Sequence, residues 1–336
     1  MLKELIPIAV TFIAVASGIA VFIFALRLLS TALRDSFAAE LSRLLAKFTK
    51  NRFSACLTGA LVTAAMQSSS ASTVMTAALA DSGVISVYSA LWIVIGANVG
   101  TTLTGLLTAA DFTGIAPLFS VAGALLLSFG KKKKLCAAGS ALMGLGLMFV
   151  GMNIMNGAVR GLESSAFISE LLKNCGNPVT GVLNGALVTA VIQSSAALTA
   201  ILQTLSVNGA VGIRQAYYII LGANIGTCAT SAVAAMGLKS SAKKVAAAHI
   251  IFNLAGSLFF VLIAAFIPVP ELIAEKCAGG IKTQIAAVNI IINIVSAAAA
   301  LCLPLKKPKA KSPAAKTAGH ERNHLLPLTQ NKKTVN

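Results

Sequence analysis

Two polar runs interrupt a chain that is otherwise rich in apolar residues: Gln67-Ser68-Ser69-Ser70-Ala71-Ser72-Thr73, and Gln193-Ser194-Ser195 with Thr199 following. Hydroxyl, amide and carbonyl oxygens are hard ligands of the sort that alkali cations accept. Hydroxyl hydrogens and helix N–H groups suit a tetrahedral oxyanion. Each run is followed by a Gly-Ala-Asn-x-Gly-Thr segment, Gly96–Thr101 and Gly222–Thr227, which brings Asn98, Thr101, Asn224 and Thr227 to the set of oxygen donors. The glycines in these segments fit either local unwinding or a close approach of two backbones. An unpaired polar group in hydrocarbon costs on the order of several kcal/mol. Runs of this kind must therefore satisfy each other or a ligand.

The spacing shows that the chain contains itself twice. Gly59–Ala64 and Gly185–Ala190 both read Gly-Ala-Leu-Val-Thr-Ala, 126 positions apart. At the same offset Gln67 faces Gln193, Thr73 faces Thr199, Asn98 faces Asn224 and Asn51 faces Asn177, without a gap. Such self-similarity marks a duplicated structural unit.

The elements around the two motifs read as membrane helices. Of 336 residues, 57% are hydrophobic and 11% charged, against roughly a quarter charged in soluble domains. Apolar blocks run over Leu5–Leu26, Val87–Ala110, Ile115–Gly130, Leu135–Met155, Tyr217–Gly237, Val245–Ile267 and Thr283–Leu303. A span needs about 20 such residues. The stretch Phe53–Ala80 has a polar centre and two arms too short to cross and return, which predicts a re-entrant hairpin with its tip at membrane depth. The fold class expected is an all-α polytopic membrane protein. It is built from two inverted-topology repeats, each with a re-entrant helical hairpin and a broken transmembrane helix.

Counting gives seven spans and two hairpins, divided as a first repeat over 1–134, a second over 135–267, an additional helix over 268–303 and a basic cytoplasmic tail over 304–336. Three spans separate the starts of the two halves, and an odd number inverts the second. The positive-inside rule places Lys131–Lys134, the Arg34–Arg52 connector, Lys239, Lys243, Lys244 and the tail in the cytoplasm. The loops with Asp111, Arg160–Lys173 and Glu271–Lys282 fall outside, so the N-terminus is expected outside and the C-terminus cytoplasmic.

The charge of +17 is no nucleic-acid signature here, because its residues sit in short loops and the tail. Cys56, Cys136, Cys228 and Cys302 read as small apolar groups in or beside spans. A bridge between Cys175 and Cys277 has no supporting pattern. Carboxylates and histidines are too sparse in the spans for a proton relay. No Lys or Arg stands at the motif positions, so an anion held there needs cations brought with it, which points to sodium. Arg27 is expected to snorkel or pair with a carbonyl rather than gate substrate, and His249 with Asn253 to hydrogen-bond between helices. Rival readings are a passive channel and an intramembrane serine hydrolase using His249 as base. Neither explains a duplicated oxygen-rich tip.

On the doubled Gln-Ser-Ser motif, the two Gly-Ala-Asn-x-Gly-Thr segments, Gly83-Val84-Ile85-Ser86, and His249 with Phe252-Asn253, the chain resembles the type II sodium–phosphate cotransporter family. The resemblance covers residues 5–303 and is that of a bacterial-type member lacking a C-terminal regulatory domain. It implies a carrier and not an enzyme: secondary active transport of inorganic phosphate across the cell membrane by alternating access, with sodium as coupling ion and no other cofactor. Ser68, Ser69, Ser70, Ser194 and Ser195 become the candidate phosphate contacts. Gln67, Thr73, Asn98, Thr101, Gln193, Thr199, Asn224 and Thr227 become candidates for sodium coordination or tip support. Ala196 stands where the first motif has Ser70, and Cys228 where the first half has Thr102, so the halves cannot contribute equally. Carriage of another small anion, and phosphate export, are the alternatives.

Overall fold

A computed structural model describes residues 2–49, 51–110, 112, 114–159 and 176–304, with side chains from residue 9 onward. Asp111, Arg160–Lys173, Cys175 and the tail lysines lie outside the described residues. The first repeat holds α1 (Leu2–Lys47), α2 (Arg52–Met66), α3 (Ser69–Asp81), α4 (Val87–Ala109) and α5 (Ala116–Phe129). Then come α6 (Lys133–Val159), α7 (Pro178–Ile192), α8 (Ser195–Val207), α9 (Ile213–Gly226), α10 (Cys228–Met236) and α11 (Ser240–Phe266). The short α12 (Val269–Lys276) and the long α13 (Ile281–Cys302) complete the described chain, which forms one unit through Leu303.

The repeat is visible in the element ends. Adding 126 to the bounds of α2 and α3 gives those of α7 and α8, and the start of α4 maps onto the start of α9. The same residues place these ends. Asn51 accepts from Ser54 N at 2.8 Å and Asn177 from Val179 N at 2.9 Å, each capping its helix. Where α2 and α7 end, Gln67 and Gln193 take left-handed backbone conformations (φ 51° and 60°), the only non-glycine residues with positive φ among those described. Ser68 and Ser194 then cap α3 and α8 by accepting from Ala71 N and Ala197 N at 3.2 and 3.1 Å. Arms of 15 and 13 residues rise about 22 and 20 Å, less than the hydrocarbon thickness.

Glycines set the packing by letting backbones touch. A methyl on Gly96 would sit 1.8 Å from the Cys56 carbonyl oxygen, and one on Gly222 would sit 2.0 Å from that of Val182. Gly59 and Gly185 make the matching approach to Ile93 and Ile219. This is close approach and not unwinding, as membrane helices with small interfacial residues allow. Gly18 of α1 abuts Gly151 and Met155 of α6, while Gly144 of α6 abuts Ala25 and Leu29 of α1. Gly144 is Gly18 plus 126, and Gly151 and Met155 are Ala25 and Leu29 plus 126. The equivalent helices α1 and α6 therefore pack reciprocally and run antiparallel.

Three expectations change. The polar connector after Leu26 is helical, part of one helix through Lys47, because Leu29, Ala32, Leu41 and Leu45 continue a buried stripe among good helix formers. Six helices among the described residues pass for membrane spans by length and composition; the seventh expected span, α5, is shorter, although the antiparallel course of α1 and α6 needs it to cross. Pro117 in its first turn and Gly130 at its end hold it to 14 residues, about 21 Å. An interrupted long helix occurs once among the described residues, and not in each repeat as expected. The α9–α10 segment is interrupted at the single residue Thr227, which keeps right-handed helical dihedrals (φ −59°, ψ −25°) and whose carbonyl receives the Thr230 hydroxyl at 2.9 Å. In α4, which is unbroken, the equivalent Thr104 hydroxyl is given to Gln67 Oε1 at 2.8 Å instead.

Candidate functional site

The two tips meet at one cavity. Residues Gln67–Ala71 and Ile192–Ala196 line it opposite a face of α1 carrying Ile23, Leu26, Arg27, Ser30, Thr31 and Arg34, with Thr101 of α4 completing the wall. Its volume is about 200 Å³, the liquid volume of roughly seven waters. A second, far smaller cavity of about 10 Å³ is lined by Ser69, Asn98, Thr101, Ser195, Asn224, Thr227, Asn289 and Asn293. Every residue around it presents a hydroxyl or an amide. Ser69, Ser195 and Thr101 belong to both cavities.

Helix ends determine what these cavities attract. Ser69 and Ser195 are the first residues of α3 and α8, so two helix N-termini, each carrying about half a positive charge, point into the larger space. Ser68 and Ser194 consume one N–H each by capping, and their carbonyls take the N–H of Ser72 and Leu198 at 3.1 and 3.2 Å. The N–H groups of Ser69, Ser70, Ser195 and Ala196 stay unpartnered among the described residues, as do the Ser69 and Ser195 hydroxyls. The C-terminal ends of α2 and α7, with spare carbonyl oxygens, converge beside them. One site thus offers donors to an oxyanion and oxygens to a cation.

The candidate residues separate by position. Gln67, Ser68, Ser69, Ser70, Gln193, Ser194, Ser195 and Thr101 reach the large cavity, and Asn98, Asn224 and Thr227 reach the small one. Thr73 and Thr199 line neither. Both are buried one turn inside α3 and α8, where Thr199 donates to the Ser195 carbonyl at 2.9 Å. The tips also differ. Gln67 Nε2 donates to the Ala64 carbonyl at 2.6 Å and its Oε1 accepts from Thr104, whereas the Gln193 side chain has no hydrogen-bond partner among the described residues. Thr230, the counterpart of Thr104, lies 3.1 Å from Ser70 Oγ and ties α10 to the first tip. Glycine removes the positive-φ penalty of about 1 kcal/mol or more. Gln193→Gly is therefore expected to raise the melting temperature in detergent. Gln67→Gly forfeits two hydrogen bonds and is expected to lower it or leave it unchanged.

Below the small cavity a buried network joins the halves. Asn98 Nδ2 donates to Asn253 Oδ1, His249 Nε2 lies 3.2 Å from Asn98 Oδ1, and Ser231 Oγ lies 3.0 Å from His249 Nδ1. Asn253 also donates to Cys228 Sγ at 3.2 Å. His249 and Asn253 thus bond between helices, as expected. The histidine addresses Ser231 and not a tip serine, so among the described residues it is not aligned as a base on Ser69 or Ser195.

Six polar lining residues were not assigned to the site from the sequence: Arg27, Ser30, Thr31, Arg34, Asn289 and Asn293. The motif positions themselves carry no Lys or Arg, but Arg27 and Arg34 of α1 line the same cavity. Arg27 neither pairs with a carbonyl nor forms an ion pair among the described residues. A signal was available. Positions 27, 30, 31 and 34 follow helical spacing, and Asn289 and Asn293 stand one turn apart in an apolar helix, where Asn293 Nδ2 donates to Asn289 Oδ1 at 2.8 Å.

Long apolar helices around paired helical hairpins and a shared polar cavity define a multi-pass membrane protein. The chain belongs to the Na+/Pi-cotransporter family, whose model matches it twice, over residues 21–157 and again over 150–266. It is 28% identical over 287 residues to the uncharacterized protein YqeW of Bacillus subtilis, covering 84% of this chain and 91% of that one. With the putative inorganic phosphate export protein YjbB of Escherichia coli it shares 25% identity over 266 residues, 79% of this chain and 48% of that protein. With the human sodium-dependent phosphate transport protein 2C it shares 33% identity over 144 residues, 40% of this chain and 24% of that protein. The chain therefore spans nearly all of the first relative, about half of the second and about a quarter of the third. No solved structure matches it.

Proposed function

We propose that this protein is a secondary active transporter that moves inorganic phosphate coupled to sodium by alternating access. The observation that carries the reading is the cavity where both Gln-Ser-Ser tips converge with two helix N-termini and the arginine face of α1. Helix N-termini, serine hydroxyls and guanidinium groups are the partners a phosphate oxyanion takes. Sodium fits the small neighbouring cavity, whose hydroxyl and amide oxygens supply a cation's ligands without a carboxylate. Ser69, Ser195 and Thr101 stand at both, which is the arrangement by which binding of one ion promotes binding of the other.

Substrate held at the interface of two repeats is the arrangement of inverted-repeat carriers. The antiparallel course of α1 and α6 supports inversion of the repeats with hairpins opening from opposite faces, and the placement of basic residues supports an N-terminus outside and a C-terminus in the cytoplasm. Phosphate export is a second reading, favoured by the similarity to YjbB over 79% of this chain. The same site would serve it with the flux reversed.

The test is uptake of radiolabelled phosphate into proteoliposomes under an inward sodium gradient against a matched potassium gradient. Uptake that requires sodium is expected. Its absence with folded protein would remove the coupling, and phosphate release from preloaded vesicles would then decide for export.

A further inference from the structure

We infer that Gln203 is the latch of an outward route through the protein, fastening the outer arm of the second hairpin, α8, to α4 and α13. The inference rests on the alternating-access reading above and names the contact that shuts the outer side. Gln203 is 0% exposed, so the seam it occupies is closed. Its Nε2 donates to the Gly105 carbonyl of α4 at 2.9 Å and to the Lys282 carbonyl of α13 at 3.1 Å. One side chain thus joins three helices. The same helices meet again beside it, where a methyl on Gly105 would lie 3.4 Å from Thr199 Cγ2 and 3.8 Å from Asn289 Nδ2. Below that layer, Ser195, Asn289 and Asn293 line the small cavity. From Ser195 to Gln203 the helix α8 rises about 12 Å. The seam therefore runs from the cavity toward the end of α8, which is the outer end in the orientation proposed above.

The arm is built as a contact that opens. Gln203 Oε1, Thr204 Oγ1 and Ser206 Oγ are buried without a hydrogen-bond partner among the described residues. Burying an unpartnered oxygen costs free energy, so an arrangement that brings water to these three groups is favoured by their hydration. The equivalent positions of the first hairpin are Ala77, Ala78 and Ala80, and there Ala77 and Ala80 pack in an apolar cluster. The polar arm thus belongs to the second hairpin alone. Gly279, at φ 148°, and Gly280 stand immediately ahead of α13 and supply a joint about which its first turn can swing once Lys282 is released. Two hydrogen bonds hold the seam shut, and three unpartnered oxygens oppose them.

The experiment uses Ser206→Cys as reporter in the full-length chain in intact cells, three residues from Gln203 and on the same helix face. Its modification by a membrane-impermeant methanethiosulfonate reagent added outside is timed with Gln203 intact and with Gln203→Met or Gln203→Glu. The chain without the reporter corrects for native thiols. Methionine keeps the length and removes both donors, and glutamate leaves at most one of the two bonds. Each variant should accelerate modification by roughly tenfold, through a larger open population. Ala80→Cys, at the equivalent position of the first hairpin, should keep its rate. Unchanged rates at Ser206→Cys would overturn the inference, and so would equal acceleration at Ala80→Cys, the mark of a loosened fold. Acceleration seen only after permeabilising the cells would overturn the outward placement. If Gln203→Met is not recovered in the membrane, Gln203→Glu decides by the same comparison. Modification needs neither phosphate nor sodium, so a wild type that moves no phosphate sinks the proposed function and leaves the latch comparison supporting or overturning as stated.

Discussion

Alanine at both Ser69 and Ser195 is expected to lower sodium-driven phosphate uptake by about a thousandfold or more, and each single substitution by about ten- to hundredfold. A hydrogen bond to a charged partner contributes about 1.5–3 kcal/mol, equivalent to about 10- to 150-fold in binding. Both hydroxyls lack a protein partner among the described residues, so their bonding capacity is directed to what occupies the cavities. Both stand at the border of the two cavities, so their loss is felt by anion and cation together. The fold should survive, because the caps of α3 and α8 come from Ser68 and Ser194. Uptake normalised to protein in the vesicle, with half-saturation measured for phosphate and for sodium, is the readout. Unchanged uptake in both single variants would take the tips out of the site.

Alanine at Gly96 or Gly222 should instead damage the fold. The added methyl would meet a backbone carbonyl oxygen at 1.8 or 2.0 Å, and backbone cannot rotate away as a side chain can. The packed helix pairs α2–α4 and α7–α9 must then separate by an ångström or more, at a cost of about 3 kcal/mol. Thermal unfolding in detergent is expected to show a large fall in melting temperature and poor recovery of protein. Gly157→Ala is the control. Its methyl meets nothing within 4 Å, and alanine favours the helix by up to about 1 kcal/mol. Equal melting temperatures for Gly96→Ala and Gly157→Ala would show that the helix pair yields without cost.

The sequence foretold best what is local or repeated. Hairpin ends, caps and tips follow from residues next to one another, and the second copy confirmed the spacing of the first. Asn51 and Asn177, or Ser68 and Ser194, needed no knowledge of neighbours to be placed. The length of α1 was missed because its charged residues resemble a loop when counted, although their apolar partners keep helical spacing. The interruption in α9–α10 falls at Thr227 while the matching Thr101 lies inside continuous α4, and the hydroxyls of the equivalent Thr230 and Thr104 take different partners. Arg27 and Asn289 reach the cavities only through packing between distant helices, set by close contacts such as Gly18 against Gly151. Composition alone could not say which face of α1 looks at the tips.

The reciprocal seam between α1 and α6 has the form of an isologous dimer interface, in which each partner offers the other the same patch. Two separate copies joined that way would have to be identical at every equivalent position, so any charge brought to the axis would arrive twice. A single covalent chain is free of that constraint. The position equivalent to Arg27 is Asn153, that of Ser70 is Ala196 and that of Thr102 is Cys228. Fusion of the halves thus permits a cavity with geometric two-fold character and a lopsided charge, a combination closed to any homodimer of the half-length unit.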